Sequence, residues 1–197
     1  MTAPARVYVH DPFEPHPRLG ELITAHNIDR SYVLMAPGQA ALSINRNDLQ
    51  LTEDLLLRGN VLVIDSDDAE PWGGIINSVD ESLASGELSI EAQGFASILD
   101  VRVVSQGQVY ESSIGSSAVF RSLLESTNAR GHTCLFVPGG IEPGPAVDDL
   151  SLVGQSVLAA LNRLHERTDY EWWVEPNVAG GHVDFIIRWG YKQGLDL

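Results

Sequence analysis

Residues that could do chemistry by type and spacing fall in four places along this chain. The first is "HDPFEPHPR", where His10, Asp11, Glu14 and His16 bring imidazoles and carboxylates together within seven positions, the donor types of a metal site. Its three prolines in nine residues predict an extended, polyproline-like path that keeps those donors apart. The second is Asp65, Asp67, Asp68 and Glu70, which are calcium ligands by type. An EF-hand loop needs Gly at its sixth position and Glu at its twelfth. Counted from Asp65 these are Glu70 and Ile76, so the run reads as a solvated turn between strands.

The third place is Asp148-Asp149, a carboxylate pair of the kind a hydrolase would use, with no partner constellation to shift its pKa values. The fourth is the terminal stretch holding Tyr170, Trp172, Trp173, Phe185, Trp189 and Tyr191. A carbohydrate- or peptide-binding module would present such rings flat and exposed. Strand alternation puts Trp172 and Trp173 on opposite faces, which favours one ring in a core and the other exposed or at a subunit contact.

The remaining candidates are isolated. His132, His165 and His182 are too scattered for a zinc site. Cys134 is the one cysteine, so no internal disulfide can form, and in "GHTCLFV" it reads as a small buried apolar residue. The glycine pairs Gly73-Gly74, Gly139-Gly140 and Gly180-Gly181 lack the spacing of phosphate loops, and no GxSxG elbow occurs. We therefore expect no catalytic, cofactor-binding or metal-ligating residues, no cofactor, and a protein that is not an enzyme.

Charge sets a second bound. Twelve Lys and Arg against 27 Asp and Glu give a net charge of −15, with no basic cluster. A grip on phosphates needs Lys and Arg, so specific nucleic-acid binding is not expected, whereas a surface that repels DNA is compatible. No apolar run reaches the length of about 18 residues that a membrane span needs. The opening "MTAPARVYVHDPFEPHPR" has no apolar signal core and predicts no export signal.

These residues must be positioned by two kinds of element. The first thirty residues predict an extended N-terminal arm (1–30), of which Thr2 to Leu19 is expected to pack on a neighbouring subunit and to add little to the stability of its own chain. From Ser31 the texture changes to short apolar runs bounded by turn signals at Pro37-Gly38, Gly59-Asn60 and "ASG". In "GELSIEAQG", Leu88, Ile90 and Ala92 alternate with Glu87, Ser89, Glu91 and Gln93, a strand with one buried and one wet face. An antiparallel β-barrel or sandwich unit over 31–112 is predicted.

Helical spacing then appears. Ser116 to Asn128 and Ser151 to Arg167 predict two helices, and "YEWWVEPNVAGGHVDFIIRWG" a hairpin turning at Ala179-Gly180-Gly181. These form an α+β unit over 113–197, so the fold class is α+β.

The runs "RGNVLVID", "WGGIINSVDES" and "GELSIEAQGFASILDVRVV" together resemble the opening barrel of hub-type minor tail proteins (tail tip or baseplate hub) of long-tailed bacteriophages. The matching positions are Gly59 to Ile64, Trp72 to Ile76, and Gly94 to Arg102 with Leu99 and Arg102 three apart. The helix "VLAALNRLHERTDYEWWVEP" and the closing "RWGYKQGLDL" resemble the second unit of that family. Family members carry further strands after the "GLDL" point, which implies either a short version or strands supplied by another chain.

The resemblance implies a structural role in the virion, at the tail tip, after assembly in the host cytoplasm. It implies a homo-oligomeric ring, a trimer by family likeness, around the DNA channel and joined to other tail and baseplate proteins. The alternative is a carbohydrate- or peptide-binding module using the Trp-rich hairpin. For the ring, the candidates to face the lumen are Asp65, Asp67, Asp68, Glu81, Glu87 and Glu91. Gly73 and Gly74 are expected to let a strand bend or another backbone approach, and Trp72 to plug the end of the barrel.

Overall fold

A computed structural model describes residues 5–48, 50–82, 86–104, 109–129 and 136–191. The fold is mixed α+β, mostly antiparallel sheet with a few helices. The chain divides into two compact units: Met1–Val33 with Pro37–Phe95 and Glu175–Phe185, and Leu34–Ala36 with Ala96–Val174 and Ile186–Leu197.

The first unit is built on seven strands: β1 (Arg6–His10), β2 (Arg18–Glu21), β3 (His26–Ser31), β4 (Gln39–Asn45), β5 (Val61–Ser66), β6 (Ala69–Ser82) and β7 (Glu87–Gly94). They form one antiparallel sheet in the order β2-β1-β5-β6-β7-β4-β3. Its core face collects Val7, Val9, Leu42, Ile44, Leu62, Ile64, Trp72, Ile76, Leu88 and Ile90. Period two in β7 is realised: Leu88, Ile90 and Ala92 are buried while Ser89, Glu91 and Gln93 are exposed. In β5, Val61 to Ile64 are all buried, because both faces of this central strand are covered.

The N-terminal arm expected over 1–30 is not an arm. The segment supplies β1, β2 and β3, and β1 lies between β2 and β5 with Val7 opposite Ile64 and Val9 opposite Leu62. Val7 and Val9 are at most 1 % exposed. The prolines at 12, 15 and 17 sit in the connection between β1 and β2, where their missing N–H groups break no ladder.

The barrel expectation also needs correction, since the sheet does not close into a ladder-paired barrel. Side chains do part of that work. Arg30 on β3 donates to the Ile64 carbonyl at 3.0 Å and to Ser66 Oγ at 2.7 Å, both on β5. Trp72 Nε1 donates to the Ser31 carbonyl at 3.1 Å, and the Tyr32 hydroxyl to the Glu70 carbonyl. The last turn of β3 is thereby tied to the β5–β6 hairpin, on the far side of the sheet order.

The second unit starts with the short helix α1 (Ile98–Val101), followed by β8 (Val109–Tyr110), β9 (Ile114–Gly115) and α2 (Ser116–Asn128). Then come β10 (Phe136–Ile141), β11 (Ala146–Val147), β12 (Leu150–Ser151), α3 (Val157–Thr168), β13 (Glu171–Ala179) and β14 (His182–Gly190), the turn end of the last two, Glu175–Phe185, being counted with the first unit. Helix α2 spans the predicted residues and buries Val119, Phe120, Leu123 and Leu124. Helix α3 begins six residues later than the Ser151 start expected. Ser151 lies in β12, and Ser156 is the N-cap, its Oγ accepting from Ala159 N–H at 3.1 Å. Strands β10, β14 and β13 form a three-stranded sheet, and the hairpin turns on Gly180 and Gly181 at φ 58° and 83°, as glycines permit. Cys134 and His132 lie outside the described residues.

Two substitutions test this packing. Val9→Ala should lower stability by roughly 2 kcal/mol, since a fully buried core side chain is truncated. Gly74→Ala should cost about 1–3 kcal/mol by overpacking, because the added Cβ would collide with the Gln93 carbonyl and the Trp72 ring. Urea unfolding followed by fluorescence measures both, and an unchanged midpoint in either variant would refute the corresponding contact.

Candidate functional site

The carboxylates singled out by their sequence spacing do not converge. Asp67 and Asp68 are exposed in the turn between β5 and β6, Glu70 is exposed on β6, and Asp65 pairs opposite Arg6. Asp148 and Asp149 are exposed between β11 and β12. His165 Nδ1 faces the Tyr170 carbonyl at 2.8 Å, at the end of α3. Among the described residues no group of three or more His, Cys, Asp or Glu is placed to hold a metal ion.

The Trp-rich hairpin is packing. Trp172 and Trp189 are at most 1 % exposed. Trp172 Nε1 donates to Asn162 Oδ1 at 3.0 Å, and the Trp189 ring lies 5.0 Å from Phe120 and 5.7 Å from Tyr170. Buried rings do not make a sugar platform; Trp173, on the opposite face as alternation requires, is half-buried.

What the fold does assemble is a polar sheet face. The register aligns Asp29, Ala41, Glu91 and Ser78 across β3, β4, β7 and β6, with Ser89 opposite Asp80 and Glu87 opposite Ser82. Asp29, Asp80, Glu87 and Glu91 therefore share the wet face. A β-bulge between Ile76 and Ser78 keeps it so, because the extra residue switches which side chains of β6 point inward. Glu81 stands opposite Leu88 on the other face and pairs with Arg46, so the carboxylates proposed for a lumen divide between two faces.

The wet face carries a shallow groove of about 250 Å³, lined by Asp29, Ser31, Gln39, Asn77, Glu91 and Gln93. Such a volume falls below the usual range for small-molecule sites of roughly 300–1,000 Å³, and its lining is polar. The face is suited to water and mobile ions, or to another polar surface, rather than to enclosing a ligand.

Two structural features were not visible in the spacing. Arg30 reads in sequence as one of few cations, yet it is a strap between strands. His10 and His16, which the prolines were expected to separate, are brought side by side, with His10 Nδ1 2.9 Å from the His16 carbonyl. An Arg two positions from Ile28 and from Tyr32 and a His on each side of a Pro-rich turn were the signals available.

One titration reports on the wet face directly. His26 places Nδ1 2.9 Å from the Thr24 carbonyl and Nε2 3.2 Å from Glu87 Oε1. The Thr24 carbonyl first, and Glu87 second, hold the ring above the ordinary histidine value. A raised value means that any stabilisation is present at pH below about 6.5 and fades as pH rises through the folded value. Glu87→Gln should lower the His26 midpoint seen by NMR; an unmoved midpoint would remove the pair.

No protein-family model and no curated protein matches the sequence. Solved structures do. A tail protein from Neisseria meningitidis aligns over 94 % of this chain at 16 % identity, with a TM-score of 0.55. The prophage tail protein gp18 from Listeria monocytogenes aligns over 92 % at 10 % identity, also with a TM-score of 0.55. The E. coli c3393 protein aligns over 85 % at 12 % identity and a TM-score of 0.51; it is a type VI secretion component with structural similarity to the T4 tail proteins gp27 and gp5. In each case the match spans 50 % of the other chain, so this chain has about half the length of the structures it resembles. Its fold is that of phage tail proteins and of a related secretion-system component.

Proposed function

We propose that this chain is a structural component of a phage tail tip or baseplate hub, forming a ring around the DNA channel and linking the tail tube to tip proteins. The observation that carries the reading is the tail-protein fold, which accounts for 94 % of the chain. Two physical features support it. The sheet of the first unit ends in two outer strands, β2 and β3; apart from Arg18, whose N–H the Gly181 carbonyl takes, and Ser31, whose carbonyl accepts from Trp72, their outer edges are where a neighbouring copy would add a strand. The net charge of −15 and the carboxylates of the wet face repel a passing phosphate backbone instead of binding it. On this reading the protein resides in the virion, works with other tail proteins and itself as partners, and performs no catalysis.

Charge and assembly are testable together. Double-stranded DNA should not be retarded at about 0.1 M salt, where the Debye length is about 10 Å, and added salt should favour oligomers by screening repulsion. Leu19, 43 % exposed on β2, sits where a neighbour would pair. Leu19→Asp should shift the sedimentation profile toward monomer while leaving the circular dichroism spectrum unchanged. DNA binding that weakens as salt rises would overturn the channel reading, and a wild-type protein that stays monomeric at every concentration would overturn the ring.

A further inference from the structure

The connection between β1 and β2 buries two histidines that the assembly role does not use. His10 and His16 are both 0 % exposed. The loop between them folds back on itself: Asp11 N–H donates to the Pro17 carbonyl at 2.9 Å, and His16 N–H to the Phe13 carbonyl at 2.8 Å. His16 is held at φ 54°, a left-handed conformation that costs non-glycine residues of order 1–2 kcal/mol.

The tautomers follow from the partners. His10 Nδ1 lies 2.9 Å from the His16 carbonyl, and His16 Nδ1 lies 2.9 Å from the Asp11 carbonyl. A carbonyl only accepts, so each Nδ1 carries the hydrogen. The two Nε2 atoms differ: that of His16 faces Glu14 Oε1 at 3.3 Å, whereas that of His10 is buried with no hydrogen-bond partner and carries the bare lone pair of a neutral ring. The His10 ring is thus the one poised to take a proton at a buried, uncompensated atom.

What surrounds them is the turn end of the β13–β14 hairpin, within the same unit. The His16 ring stands edge-on to Phe95 and Phe185, with centroids 6.1 Å away in each case, and those two phenyl rings stack at 3.3 Å. Arg18 N–H donates to the Gly181 carbonyl at 2.9 Å, and Pro17 bridges His182. The loop and its histidines are the seat of that hairpin end.

We propose that His10, fixed by its Nδ1 to the His16 carbonyl, is a proton-operated latch, which keeps the hairpin end Glu175–Phe185 in its seat when neutral and releases it on acidification. The charged groups facing the pair decide the direction. His10 faces Arg18, His16 and His182, none of which compensates a positive charge. Glu14 faces His16, its Oε1 3.3 Å from Nε2, while the Asp11 carboxylate is engaged with Phe13 N–H. Burial first, and the Arg18 cation after it, hold His10 below the ordinary histidine value. For a depressed histidine the unfolded state binds the proton more readily. The latch is therefore intact above about pH 6.5 and loses stability as pH falls below it.

Hydrogen exchange of the full chain tests this at about pH 7.5 and about pH 5.5, on either side of the ordinary histidine value of about 6.5. After correction for intrinsic rates, amides of 181–185 should lose about tenfold or more in protection at the lower pH, one unit of differential titration being a factor of ten. Amides of α3 should not change. The variant His10→Asn keeps an N–H toward the His16 carbonyl and does not titrate; its protection should be independent of pH. Flat protection in the wild type, an equal loss in the variant, or a parallel loss in α3 would each overturn the latch. Nitrogen-15 shifts of the wild-type His10 ring keep the test decisive if that variant does not fold. An Nδ1–H tautomer at neutral pH that charges as the hairpin loosens supports it; a ring that stays neutral while the hairpin loosens overturns it.

Discussion

Backbone meets backbone without side chains at Gly38, Gly74 and Gly94, and the curl of the first unit depends on it. Gly74 and Gly94 are register partners on β6 and β7, and Gly94 N–H donates to the Gly38 carbonyl at 2.7 Å. A Cβ on Gly94 would come within 2.9 Å of the Gly38 nitrogen, and one on Gly74 would strike the Gln93 backbone. With those atoms absent, Trp72 enters the core beside the crossing and its Nε1 reaches the Ser31 carbonyl. The end of β3 is then drawn toward β5, where Arg30 fastens it. A sheet that would otherwise lie open encloses its own core.

How much of this could be read in advance varies by element. Strands β5 to β7, helix α2 and the terminal hairpin were legible because their apolar spacing is long enough to distinguish a period of two from 3.6. The Gly73-Gly74 pair was legible as a point of close backbone approach, although the partners were not. Strand β1 was missed because "RVYVH" offers two inward valines beside a run of prolines, and the ladder partners that fix it between β2 and β5 lie far along the chain. The start of α3 was misplaced since Val153 fits the helical stripe; it is 40 % exposed, and the capping hydroxyl belongs to Ser156. The pairing of His10 with His16 depends on a loop that doubles back, and no spacing rule encodes that.

The candidate site behaved similarly. Alternation told that Glu87 and Glu91 share a face, which the register confirms, but the bulge after Ile76 is what separates Glu81 from them. The conspicuous polar surface of the first unit is shallow and open. Acidic charge spread over a sheet face, beside outer strands able to pair, sets two tendencies against each other. In the proposed ring, edge pairing would draw copies together, and like charge would limit how closely their wet faces approach.

Cryo-electron microscopy of the assembled particle tests the central proposal most directly. The account predicts a closed ring whose copies meet through the outer strands of the first unit, around an opening wide enough for duplex DNA and lined by carboxylates. An open filament, a particle without a central opening, or an opening lined by Lys and Arg would contradict it.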